Sequence, residues 1–184
     1  MKKIVMLLVF FALGCSEKNS FLDNFKKEKE FHSFYGKFEK EVTVEDLRVL
    51  NKTEELNKFV FNTHPKYYYG YKMRLDNSDY YLINYQINYD VTYYKRSSLD
   101  AGTDSFLCIY DTKTHSVVSK IRTLSSDPIS SDTKKQGEEF IVTSRIKSIR
   151  YKEFVEDNKY ELINVSKYKI IDYRFVETYN KIIN

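Results

Sequence analysis

Tryptophan is absent from this chain, and proline (2), glycine (5), cysteine (2) and histidine (3) are scarce among its 184 residues. Each shortage excludes something. With so few glycines there is no phosphate-cradling G-x-x-x-x-G-K loop and no G-x-G-x-x-G fingerprint, so no cofactor is expected. His32, His64 and His115 stand alone, without an H-E-x-x-H pair or other metal-ligand spacing, and no serine sits in a G-x-S-x-G elbow. Asp76 and Asp79 flank a short polar stretch that lacks the central glycine and distal glutamate of an EF-hand loop, so a turn is expected there and no metal site. Charge of one sign is not in excess either, since 30 basic and 26 acidic residues leave a formal +4.

What is present begins with Lys2 and Lys3, followed by an apolar run over residues 4–13. A helix of that length rises about 15 Å, half the roughly 30 Å of a bilayer's hydrocarbon core, so it is too short to span. A basic start, a short apolar centre and a small residue at the exit are the layout of a secretory signal peptide. Ala12, Leu13, Gly14 and Cys15 resemble the lipobox of bacterial lipoproteins, with Ala12 and Leu13 exchanged relative to the usual order. The resemblance covers only this N-terminal segment. It implies a signal peptide over residues 1–14, acylation of Cys15 as the first mature residue, a lipidated tether over 15–20, and a lipid anchor in a bacterial membrane. Ser16, in place of an aspartate, points within that resemblance to the outer membrane or cell surface. Loss of Lys2 and Lys3 would leave 28 basic against 26 acidic residues, a balance too even to argue for an anionic-lipid partner, and no nucleic acid is expected as partner. With Cys15 acylated, Cys108 has no cysteine left to pair with, and stability must come from packing.

Residues 66–94 carry the clearest structural signal. From Tyr81 to Tyr93 every odd position is apolar or aromatic, while the even positions run Leu82, Asn84, Gln86, Asn88, Asp90 and Thr92. That alternation predicts a strand with one buried face. Opposing Leu75 to Tyr81 brings Met73 to Ile83, Tyr71 to Tyr85, Tyr69 to Ile87 and Tyr67 to Tyr89, which gathers the apolar positions on one face. Asn77, Ser78 and Asp79 then form the turn. Tyr68, Lys72, Asn84, Gln86 and Asn88 would make an outer polar face.

Residues 21–40 mix Lys and Glu with Phe21, Phe25, Phe31, Phe34, Tyr35 and Phe38, predicting an amphipathic helix. A second helical region is expected from Thr43, an N-cap followed by Glu45 and Asp46, to His64 before Pro65. After the hairpin come a polar loop over 95–104 and a second hairpin in which Asp111 faces Ser116. Phe106, Cys108 and Tyr110 would there share a face with Val117, Ser119 and Ile121, while Leu107, Ile109 and Val118 point the other way. Residues 125–137 read as a long break, and strands follow over 138–151, 160–165 and 169–176, with a turn near Asp157. The expectation is one α+β domain over 21–184: helices over 21–63, then an antiparallel meander of six or seven strands, mainly over 66–177.

In such a meander the loops over 95–104 and 125–137 emerge at the same end and bring Arg96, Asp100, Asp104, Asp127, Asp132, Lys134 and Lys135 towards one another. Cys108, mid-strand, reads as an inert core thiol. The function expected is a non-enzymatic binding module of the cell envelope, of inhibitor or toxin-neutralising type, engaging a protein or envelope polymer. The alternatives are a structural envelope component and a hydrolase whose loop carboxylates converge only in three dimensions.

Overall fold

The computed structural model describes residues 20–29, 37–50, 65–76, 78–89, 102–125, 129–147 and 161–183. They form a mixed sheet of nine strands in sequence order, with two short helices, α1 (Ser20–Asp23) and α2 (Val44–Leu50). The strands are β1 (Lys26–Lys27), β2 (Lys66–Arg74), β3 (Tyr80–Tyr89), β4 (Gly102–Asp111), β5 (Ser116–Ser125), β6 (Ile129–Gln136), β7 (Glu139–Lys147), β8 (Glu161–Ile171) and β9 (Arg174–Ile183). β1 runs parallel to β2, and every other pairing is antiparallel. This overturns the expected α+β arrangement of N-terminal helices followed by six or seven strands. The protein is largely β.

The helical expectation fails at the N-terminus because tertiary contacts override propensity. Phe21, Leu22 and Phe25 are buried, and one turn of helix suffices to seat them. Two described segments line the edge of β2, β1 in parallel and Glu41 in antiparallel sense, with Glu28 N–H donating to Lys72 O, Val42 N–H to Tyr67 O and Tyr69 N–H to Lys40 O. Those bonds cover an edge that would otherwise expose unpaired backbone groups. Thr43 does cap α2, its hydroxyl oxygen accepting from Asp46 N–H at 3.3 Å. The remainder of the two expected helices, residues 30–36 and 51–64, lies outside the described residues.

In the first hairpin Tyr69 faces Tyr85 and Tyr67 faces Ile87, two residues from the expected register, and a bulge lies between Tyr69 and Lys72. Its cause is local. Asn84 Oδ1 accepts from Tyr71 N–H at 2.5 Å, occupying space that a β-carbon at position 70 would fill, and Gly70 supplies that space. Past the bulge Lys72 faces Ile83 and Met73 faces Leu82, so Lys72 and Asn84 occupy opposite faces of the sheet. In the second hairpin Asp111 faces Ser116 as expected. A bulge between Ile109 and Tyr110 then turns Ile121 to the face of Leu107, away from Cys108.

Both faces of β3–β5 are therefore buried, against different partners. On one, Tyr69, Ile83, Tyr85, Cys108 and Tyr110 pack with Phe21, Leu22, Phe25, Val42 and Leu50. On the other, Leu82, Leu107, Ile109 and Ile121 meet Phe140, Tyr168, Ile170, Tyr173 and Phe175, because the later strands fold back over them. Phe175 N–H donates to Ser119 Oγ at 3.0 Å, tying β9 to β5.

The expected break over 125–137 is mostly strand β6. Inward Ser131 and Thr133 alternate with exposed Asp132 and Lys134, a period of two that hydropathy does not register. Among the described residues, one ladder pair, Ser125 with Ser131, joins β5 to β6. The added strand shifts the ends at which later connections emerge; β8 turns into β9 at Asp172 and Tyr173, within the stretch 169–176 expected as one strand, and the turn expected near Asp157 lies outside the described residues.

Candidate functional site

Where the two halves of the sheet close on each other, they leave a cleft of about 590 Å³ at the tight-turn end. Met73, Leu75 and Leu82 form one wall, Phe140 and Ile170 the other, and Tyr173 stands at its mouth. The rim is charged: Asp76, Glu138 and Asp172 alternate with Lys135 and Lys169. The lining is mixed, apolar residues with five charged ones, and the volume falls within the roughly 300–1,000 Å³ of small-molecule sites.

Hairpin geometry puts the rim there. Asp76 (φ 41°), Gly137 (φ 60°), Asp172 (φ 48°) and Tyr173 (φ 56°) all occupy the left-handed region that tight hairpin turns require. Aspartate and glycine accept that conformation readily, whereas tyrosine does so at a cost. Tyr173 is held by its ring, which stacks on Tyr80 with centroids 4.0 Å apart and planes 12° from parallel. Lys169 is also fixed, lying 3.7 Å from Glu139.

Away from the cleft, the same inner face becomes polar. Asn84, Gln86, Ser105, Thr123, Ser131, Thr133 and Ser166 are all buried. Hydroxyls stitch the strands together there: Ser105 Oγ donates to Tyr85 O, Thr123 Oγ1 to Ser105 O and Thr133 Oγ1 to Thr123 O, at 3.3, 3.1 and 2.7 Å. Each donation crosses to the preceding strand, and the last spans the β5–β6 seam. Ser131 Oγ and Asn164 Oδ1 are buried without a hydrogen-bond partner.

The chain matches no protein-family model, no curated protein and no solved structure. Its reading rests on its own geometry. Among the described residues, no helix is long and apolar enough to cross a membrane, and no three His, Cys, Asp or Glu side chains gather as metal ligands.

Of the loop residues expected to converge, Arg96, Asp100 and Asp127 lie outside the described residues, as does Cys15. Asp104 is half-buried within β4, and Asp132 is exposed on β6. The expected outer polar face is divided and largely covered. Asn84 (0% exposed) and Gln86 (8%) are interior, and Gln86 Nε2 donates to Asn88 Oδ1 at 2.8 Å. Tyr68 is half-buried beside the edge segment that pairs at Glu41. Lys72 sits beneath α1, donating from Nζ to Leu22 O, and burial pulls its pKa down despite the nearby Asp23 carboxylate. Cys108 is fully buried, and burial pushes its thiol up to about 12, consistent with an inert core thiol.

Of the cleft residues, the sequence singles out Lys135 as a candidate, but with loop partners that do not line the cleft. Alternation assigns Leu82 and Phe140 to their strands, but nothing in one chain's pattern shows that the ends of β2–β3 and β8–β9 meet. The turn at Asp172 and Tyr173 falls inside residues 169–176, expected as one strand, because Asp-Tyr is not one of the usual hairpin-turn dipeptides.

Proposed function

We propose that this protein is an exported, lipid-anchored, non-enzymatic binding module of the cell envelope, holding a small amphipathic molecule in the turn-end cleft. The observation that carries the reading is the cleft: about 590 Å³ between two packed halves, with apolar walls and five charged residues at the rim. The ligand's apolar part would lie against Leu75, Leu82 and Phe140. Its polar end would remain among Lys135, Asp172 and the neighbouring carboxylates. The anchor is supported by the lipobox-like residues ending at Cys15.

Two measurements test this. Thermal unfolding in the presence of a panel of single-chain and ring amphipaths should rise for at least one member, and the rise should disappear in Met73→Asp. An equal rise in that variant would place binding elsewhere. Intact-mass analysis of the membrane-extracted protein should find a chain starting at Cys15 with an acyl-sized increment, absent from Cys15→Ala. An unacylated N-terminus would remove the anchor from the proposal.

A further inference from the structure

The near balance of acidic and basic residues conceals how the second half of the sheet sorts them. The register places Lys134, Ile141, Lys167 and Tyr179 in one row across β6–β9, on the face turned away from Phe140. Adjacent rows on that face bring up Lys169 with Val176, Lys181 with Val165, and Arg145 with Ile163 and Ile183, and Arg174 pairs with Ile171 at the hairpin end. Six cations therefore share this outer face with two carboxylates, Asp132 and Glu139, among the described side chains. Glu139 is already shared, at 3.7 Å, by Lys167 and Lys169.

The same face concentrates exposed apolar surface. Ile171 (47%), Val176 (39%), Tyr179 (42%) and Ile183 (45%) are four of the seven large apolar residues that stand exposed among the described residues, and all four lie here, interleaved with the cations. Lys167 Nζ lies 5.5 Å from the centre of the Tyr179 ring. Four strands about 4.8 Å apart make a face roughly 15 Å wide, and strands of this length make it about 30 Å long. Cations on long apolar stems, with Tyr and Ile between them on a broad face, suit an interface with charged headgroups above a hydrocarbon layer. A soluble anionic polymer would use the cations and leave the apolar residues wet.

We propose that the outer face of β6–β9 docks on an anionic lipid bilayer. Lys169 and Ile171 belong both to this face and to the lining of the turn-end cleft, whereas Lys134, Arg174, Val176 and Lys181 do not line the cleft, so variants at those four positions test the inference apart from the ligand reading. Docking would hold the sheet against the membrane while the inner face stays enclosed.

The test uses the full chain carrying Cys15→Ala, so that no acyl chain contributes and any effect of the N-terminal apolar segment is common to all samples. Binding to vesicles of phosphatidylcholine mixed with phosphatidylglycerol should exceed binding to phosphatidylcholine alone by at least about tenfold. It should fall when salt rises from about 0.15 to 1 M, where the Debye length shrinks from about 8 to 3 Å. Lys134→Glu, Arg174→Glu and Lys181→Glu together should weaken it roughly a hundredfold or more, taking about fivefold per cation near an anionic surface. A second readout does not depend on that triple variant folding. Val176→Cys carrying an environment-sensitive dye should shift to the blue on anionic vesicles, and the buried Cys108 leaves the new thiol as the labelled one. Equal binding to neutral vesicles, no dye shift, an unaffected folded triple variant, or capture by soluble polyphosphate without uptake on anionic vesicles would each overturn the proposal.

Discussion

The ring of Tyr173 lies flat on that of Tyr80, 4.0 Å between centroids, while its own backbone sits at φ 56°. A favourable side-chain contact thus holds an unfavourable main-chain conformation at the mouth of the cleft. Left-handed backbone costs a non-glycine residue roughly 1–2 kcal/mol, and a stacked aromatic pair contributes about 0.5–1.5 kcal/mol beyond area burial. Tyr173→Gly should therefore change stability little, because relief of the backbone offsets loss of the ring. Tyr173→Ala keeps the strain and loses the ring, and should be destabilised by about 1–3 kcal/mol in urea unfolding. Both should lose ligand uptake. Equal stability of the two would mean that the turn is unstrained.

Gly70 and Asn84 form a second dependent pair. A β-carbon at position 70 would collide with both the Asn84 amide and its carbonyl oxygen. Gly70→Ala is expected to cost about 1–3 kcal/mol by overpacking, and Asn84→Ala a similar amount by leaving Tyr71 N–H without this acceptor. Because the second change removes part of the obstacle to the first, the double variant should be less destabilised than the sum, by about 1 kcal/mol. Additive costs in denaturant unfolding would rule out the bulge as the common cause.

Tyr69 fastens α2 to the sheet. Its hydroxyl donates to Asp46 Oδ2 at 2.5 Å and accepts from Thr43 N–H at 3.1 Å. Burial, and then the Asp46 carboxylate, raise its pKa above the ordinary 10.0. A raised folded-state value means that this contribution to stability is complete below pH 10 and is lost as pH rises through the folded pKa. Tyr69→Phe should cost about 1–2 kcal/mol at neutral pH, and its stability should depend less on pH above 10 than that of the native chain. Parallel alkaline profiles from urea titrations would show that another group governs this range.

The sequence showed most clearly what depends on alternation and turn chemistry. The strand around Ile83, Tyr85 and Ile87 and the Asp111–Ser116 hairpin were both visible. What stayed hidden was each feature in which one residue answers to a distant one. Gly70 yields to Asn84, and that bulge moves Lys72 to the face opposite Asn84. Phe21 and Phe25 follow the sheet more than their own helical pattern, since four residues cannot sustain a helix without the surface they pack on. Strand β6 was missed because its inward residues are Ser131 and Thr133, which resemble loop residues until the polar interior around them is known. The candidate cleft arises from the meeting of two hairpin ends, and its apolar walls were legible only as separate strand faces.

The seam between β5 and β6 divides the chain into two consecutive halves, each holding its own strands in local ladders. A backbone cut between residues 125 and 129 would sever almost no sheet. The two fragments would recognise each other chiefly by the interlocking of Leu107 and Ile121 with Phe140 and Phe175, as separate subunits do. This fold is thus a natural point for splitting the gene and recovering the protein by reassembly of its parts.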